Sequence, residues 1–106
     1  MIIKIKKYTN GNYTRISNNL IRDNSISLLA RGLLVFMLSC KEDIWEFSVA
    51  KLIKNTNTSR VKIENAIKEL ENAGYLKRNQ NRNNGRFANN EWVISEVPDL
   101  RDNEPL

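Results

Sequence analysis

The chain has 106 residues, the size of one domain with a small core, because a chain this short buries about 60–65% of its unfolded surface. Hydrophobic residues make up 41% and charged residues 27%, as in an ordinary globular protein, and no apolar run reaches the roughly 20 residues that span a bilayer. The net charge of +5 favours a polyanionic partner, while zero histidines and a single cysteine, Cys40, exclude Ser-His-Asp or Cys-His catalysis, an internal disulfide and a cysteine-rich zinc site.

Met1-Ile2-Ile3-Lys4 lacks the layout of a signal peptide, so a cytoplasmic protein is expected. Ile3 and Ile5 alternate with Lys4 and Lys6, the period of a strand. Residues 1–40 hold six bases against Asp23 alone. Within them Lys4, Lys6 and Lys7 form a cluster with two readings: an N-terminal arm on phosphates, or an edge strand protected by lysines. Gly11-Asn12 signals a turn, and residues 16–22 a short helix.

The strongest helix is predicted from Ser27, its N-cap, to Cys40, with Glu42 and Asp43 beyond its end. Leu29, Leu33, Phe36, Met37 and Cys40 follow helical spacing, and Leu28, Leu34, Val35 and Leu38 widen the stripe until it is apolar almost all round. Such a helix is either central to the core or meets a partner chain. Gly32 costs it about 1 kcal/mol relative to alanine, which suggests that another backbone approaches there.

Trp45-Glu46-Phe47 reads as a short extended segment. A second helix opens at Ser48 and covers Val49 to Lys54, with Phe47 and Leu52 in the positions of a hydrophobic staple. Asn55-Thr56-Asn57 is a polar turn. A third helix starts at Thr58 or Ser59 and runs to Ala73, with Ile63, Ala66, Ile67 and Leu70 facing the core and Gly74 as a left-handed cap. Glu64 and Lys68 are spaced for an ion pair.

A hairpin follows, with Tyr75 to Asn79 as one strand and Glu91 to Val97 as the other, Trp92 and Ile94 on one face, and Pro98 ending it. Six of the chain's 16 asparagines fall in residues 79–90, which marks a loop with Gly85 near its tip. Residues 77–90 hold four bases and no acid; residues 91–106 hold five acids and Arg101. The domain is taken as 1–98, with 99–106 as a flexible acidic tail.

Short helix, polar turn, longer helix and basic hairpin make an α+β chain with the layout of a winged helix-turn-helix. On the outward side of the third helix, Asn65 suits an adenine edge and Val61 a thymine methyl, with Ser59, Arg60 and Lys62 beside them. Its three bases are countered by Glu64, Glu69 and Glu71, so a merely solvated face is the competing reading. Lys77, Arg78, Arg82, Asn83, Asn84 and Arg86 of the wing suit phosphates and a narrow A/T-rich minor groove. The wing is therefore expected to contribute more affinity than the third helix. The four glycines lie too far apart for a phosphate-cradling loop, and no metal, cofactor or enzymatic activity is expected.

The stretch Ile26-Ser27-Leu28-Leu29-Ala30-Arg31-Gly32-Leu33-Leu34, with Trp45-Glu46-Phe47-Ser48, Ile67-Lys68-Glu69-Leu70-Glu71-Asn72-Ala73-Gly74-Tyr75-Leu76 and Gly85-Arg86-Phe87, resembles the winged-helix domains of low-GC Gram-positive plasmids and phages. The resemblance covers about residues 14–97. That family includes N-terminal domains of replication initiators and replisome organisers, and small accessory proteins of conjugative plasmids. The short length and asparagine-rich composition look most like origin-of-transfer-binding (TcpK-like) accessory proteins of clostridial conjugative plasmids. The over-apolar first long helix and the small footprint of one 12.3 kDa module lead to the expectation of a homodimer, which would bind A/T-rich repeated sites in double-stranded DNA and recruit a relaxase or replication initiator. A transcriptional repressor using the same surface, and a winged helix that binds only protein, are the alternatives.

Overall fold

The computed structural model describes residues 2–4, 6–7, 11–40, 47–79, 82–83, 86–87 and 91–100, and for 79, 82–83, 86–87 and 91 the backbone alone. Four helices and a two-strand antiparallel hairpin form a small α+β domain: α1 (Asn18–Ile21), α2 (Leu28–Leu38), α3 (Val49–Thr56), α4 (Arg60–Ala73), β1 (Leu76–Asn79) and β4 (Glu91–Ile94). Between the hairpin strands, β2 (Arg82–Asn83) pairs antiparallel with β3 (Arg86–Phe87). The connecting stretch, expected to be loop throughout, thus carries a short ladder of its own, while Asn84 and Gly85 lie outside the described residues.

Each helix begins where a serine can satisfy an orphan amide. The hydroxyls of Ser17, Ser27, Ser48 and Ser59 accept from the N–H groups of Asn19, Ala30, Lys51 and Lys62. Two helices end in left-handed backbone. Asn57 caps α3 at φ 53°, ψ 43°, and Gly74 caps α4 at φ 92°. Asparagine tolerates that region and glycine adopts it without a Cβ penalty.

The core lies where α2 and α3 pack on α4. Ala30, Leu33, Leu34 and Met37 meet Ile63, Ala66, Ile67 and Leu70, with Leu20, Ile26, Leu52, Tyr75 and Leu76 closing the sides. No charged side chain is buried among the described residues. The hairpin register places Leu76 opposite Ile94 and Arg78 opposite Trp92, so these four share the core-facing side.

Several expectations are corrected. Lys4, Lys6, Lys7 and their described neighbours form no strand, and Ile2 and Ile3 are exposed: two isoleucines in alternation make a strand only when a partner strand supplies the hydrogen bonds. Helix α2 stops at Leu38, before Glu42 and Asp43, which with Trp45 and Glu46 lie outside the described residues. The hydroxyl of Ser39 donates to the carbonyl of Phe36 at 2.6 Å, satisfying one of the last carbonyls. Helix α3 continues to Thr56, past Lys54. Glu64 pairs with Arg60 at 3.6 Å rather than with Lys68. Strand β4 ends at Ile94, and beyond it the Leu100 N–H still reaches the carbonyl of Gly74 at 2.8 Å.

Gly32 has no close neighbour among the described residues beyond its own helix. Among the described residues outside its own helix turn, none would come within 4 Å of a methyl group built on it, so none of their backbone approaches α2 there.

Candidate nucleic-acid interface

Helices α3 and α4 are joined by Asn57, Thr58 and Ser59. The turn is held by local hydrogen bonds: the Thr56 hydroxyl donates to the Leu52 carbonyl at 2.6 Å, and the Thr58 hydroxyl to the Thr56 carbonyl at 3.0 Å. With Ile63, Ala66, Ile67 and Leu70 buried, the other side of α4 shows Val61, Asn65, Lys68 and Asn72 to solvent, and Val61 is 66% exposed. That outward stripe has no acid. Arg60, Lys62 and the cap Ser59 are exposed at its amino end. Lys51 and Lys54 are exposed on α3, a helix without acids. The sequence reading did not assign them to the surface, although the absence of any acid from residues 49–56 was a visible signal.

The three glutamates that make α4 neutral on paper lie on its flanks. Glu64 pairs with Arg60, both well exposed. Glu69 accepts the N–H and hydroxyl of Ser27, each at 2.8 Å, so its charge sits at the positive amino end of α2. Glu71 accepts two bonds from Arg78, at 3.1 Å from Nε and 2.9 Å from a terminal nitrogen.

That pairing decides what Arg78 does. Its guanidinium is held by Glu71 and lies over the Trp92 ring, 5.5 Å from the centroid, while Trp92 meets Phe47 at 6.1 Å on its other contact. Arg78 braces the hairpin against α4, although the residue stays exposed. The signal was in the sequence: Arg78 has the parity of Leu76, hence the core side of β1. Lys77 has the opposite parity and is half-exposed. Arg82, Asn83 and Arg86 belong to the distal ladder, where Arg82 pairs with Phe87 and Asn83 with Arg86. Asn84 lies outside the described residues, and Lys4, Lys6 and Lys7 are exposed.

Away from these surfaces, Asp23 is a hub beneath α1. One carboxylate oxygen accepts the Ser25 N–H at 2.9 Å and its hydroxyl at 2.6 Å, and the other accepts the Tyr75 hydroxyl. The Ser25 hydroxyl above all, then Tyr75, hold the Asp23 carboxyl below its ordinary value. Burial, with the Asp23 carboxylate as acceptor, pushes the Tyr75 phenol up to about 12. Burial also raises the Cys40 thiol, which donates to the Phe36 carbonyl. Among the described residues no three metal-ligating side chains come together, and no helix is long and apolar enough to cross a membrane.

No protein-family model, no curated protein and no solved structure matches this chain.

Proposed function

We propose that the chain is a winged helix-turn-helix protein that binds double-stranded DNA and has no chemistry of its own. The observation that carries this reading is the acid-free outward stripe of α4, opening directly off a three-residue turn from a basic α3. A 14-residue helix is about 21 Å long, a fit for the major groove. Val61 and Asn65 face the bases, as apolar and amide side chains suited to thymine methyl and adenine edges. Ser59, Arg60, Lys62, Lys51 and Lys54 take phosphates on either side. The distal ladder, with Arg82, Asn83 and Arg86, joined by Asn84 and Lys77, reaches phosphate or the minor groove. Lys4, Lys6 and Lys7 add a basic arm.

The biological setting follows from the resemblance: an accessory factor at a plasmid origin, for conjugative transfer before replication, that marks a site for a relaxase or initiator. The test is fluorescence anisotropy against tiled duplexes covering the chain's own replicon. Four to six phosphate contacts give a log–log salt slope of about −4 to −5. Tight binding confined to an origin supports the proposal. Confinement to a promoter would make the protein a repressor, and a flat salt response would remove DNA binding altogether.

A further inference from the structure

Four side chains tie the hairpin to the helices. Glu71, in the last turn of α4, accepts from Nε of Arg78 at 3.1 Å and from a terminal nitrogen at 2.9 Å. The guanidinium lies over the Trp92 ring, 5.5 Å from its centroid, and Arg78 and Trp92 are paired across β1 and β4. Trp92 in turn meets Phe47 at 6.1 Å, and Phe47 directly precedes Ser48, the cap of α3. The root of the hairpin is anchored by buried Leu76, opposite Ile94. Arg78 and Trp92 stand two residues further out, about 7 Å along the ribbon. A two-stranded hairpin is marginally stable on its own, so beyond its packed root its direction depends on such contacts. Arg82 and Arg86 belong to the ladder beyond them.

We infer that Glu71 is a positioning residue for DNA binding: it holds Arg78 over Trp92 and so fixes the wing relative to α4. This rests on the DNA-binding reading above. By charge alone, a carboxylate on α4 opposes a polyanion. Two acids of α4 pair with an arginine, and their geometry separates them. Glu64 meets Arg60 at 3.6 Å, one turn away on the same helix, with side chains 48% and 62% exposed. That pair is internal to α4, and its carboxylate competes with phosphate for Arg60. Glu71 makes two bonds in the fork geometry of carboxylate on guanidinium, across to the hairpin, with side chains 29% and 35% exposed. Two bonds fix the plane of the guanidinium over the Trp92 ring, and lysine has neither the fork nor the plane. A wing that is already aimed loses less freedom when it meets DNA together with α4. The negative charge of Glu71 thus strengthens the binding of a negative partner.

The experiment is anisotropy of a labelled duplex of alternating A and T with the full chain. The proteins are the parent, Glu64→Gln, Glu71→Gln and Arg78→Lys, each alone and combined with Arg82→Ala and Arg86→Ala. The three side chains are partly exposed, so the variants keep the native circular dichroism. Glu64→Gln and Glu71→Gln change the net charge equally, yet the expected effects have opposite signs. Glu64→Gln binds more tightly than the parent, and Glu71→Gln roughly threefold or more weakly. Arg78→Lys keeps the charge but not the fork, and weakens binding as Glu71→Gln does. The paired wing change costs less affinity in Glu71→Gln and in Arg78→Lys than in the parent, because a wing without its brace contributes less. The inference is overturned if Glu71→Gln binds as tightly as the parent or more so, if Arg78→Lys keeps the parent's affinity, or if the wing change costs the same in every background. A parent that does not bind the duplex removes the DNA-binding reading itself, and this inference with it, so the parent alone tells the two failures apart.

Discussion

Glu69 of α4 grips Ser27 of α2 with both carboxylate oxygens, one on the backbone N–H and one on the hydroxyl, each at 2.8 Å. The same Ser27 hydroxyl accepts from Ala30 N–H at 3.1 Å. The start of one helix is thus fastened to the flank of another across 42 residues of sequence. Replacing Glu69 with Ala is expected to cost about 1–2 kcal/mol, because two charge-assisted bonds on a half-exposed site are lost. Urea unfolding measures it. The salt slope of DNA binding should be unchanged, since Glu69 faces α2.

Arg78 separates bracing from binding. Arg78→Ala should lower stability by about 1–2 kcal/mol, from the lost Glu71 pair and the lost contact with the Trp92 face. The salt slope should stay as in the parent. The double change Arg82→Ala, Arg86→Ala should do the reverse: little loss of stability, and a slope reduced by about 2. If Arg78→Ala flattens the slope as much as the double variant, the guanidinium is not confined to its bracing role.

The Asp23–Tyr75 bond makes stability fall at both ends of the pH scale. Asp23 titrates below its ordinary 3.8 in the folded state. Its contribution is therefore present above that value and is lost as pH falls through the folded one. Tyr75 is raised from 10.0 to about 12. Its contribution is complete below pH 10 and is lost as pH rises through about 12. Tyr75→Phe should flatten the alkaline limb and weaken the acid one. Thermal melts across pH in parent and variant give the comparison.

Asn57 turns α3 into α4 in left-handed backbone. Asn57→Gly should be neutral to within a few tenths of a kcal/mol, whereas Asn57→Val should destabilise by about 1–2 kcal/mol. Because the turn sets the angle of α4, Asn57→Val should weaken DNA binding beyond its effect on folding. Anisotropy on the folded fraction reads that difference.

Local signals carried far in this chain. Ser27, Ser48, Ser59 and Gly74 were each readable as caps, because capping depends on residues within one turn. The buried stripe of α4 was readable from its period, and the hairpin from its strands. What could not be read were the pairings across the fold. Glu69 meets Ser27, and Tyr75 meets Asp23 52 residues away, without any mark in either neighbourhood. The contacts of Arg78 with Glu71 and Trp92 were not readable either, because charge counted along the chain does not show which acid a base meets. The backbone neighbour expected at Gly32 is absent among the described residues.

The bond from Ser17 N–H to the carboxylate of Glu96 spans 79 residues. During synthesis, α2, α3 and α4 can collapse on one another as soon as Ala73 has emerged. The amino-terminal helix is already held by Leu20 in the core and by Arg31 on the Ile21 carbonyl, so Glu96 adds the last and most distant tie to its entry. A protease or a premature stop that removes the chain beyond Ile94 would take away that tie and the Leu100 bond to Gly74 while leaving the contacts of α1 with the centre in place.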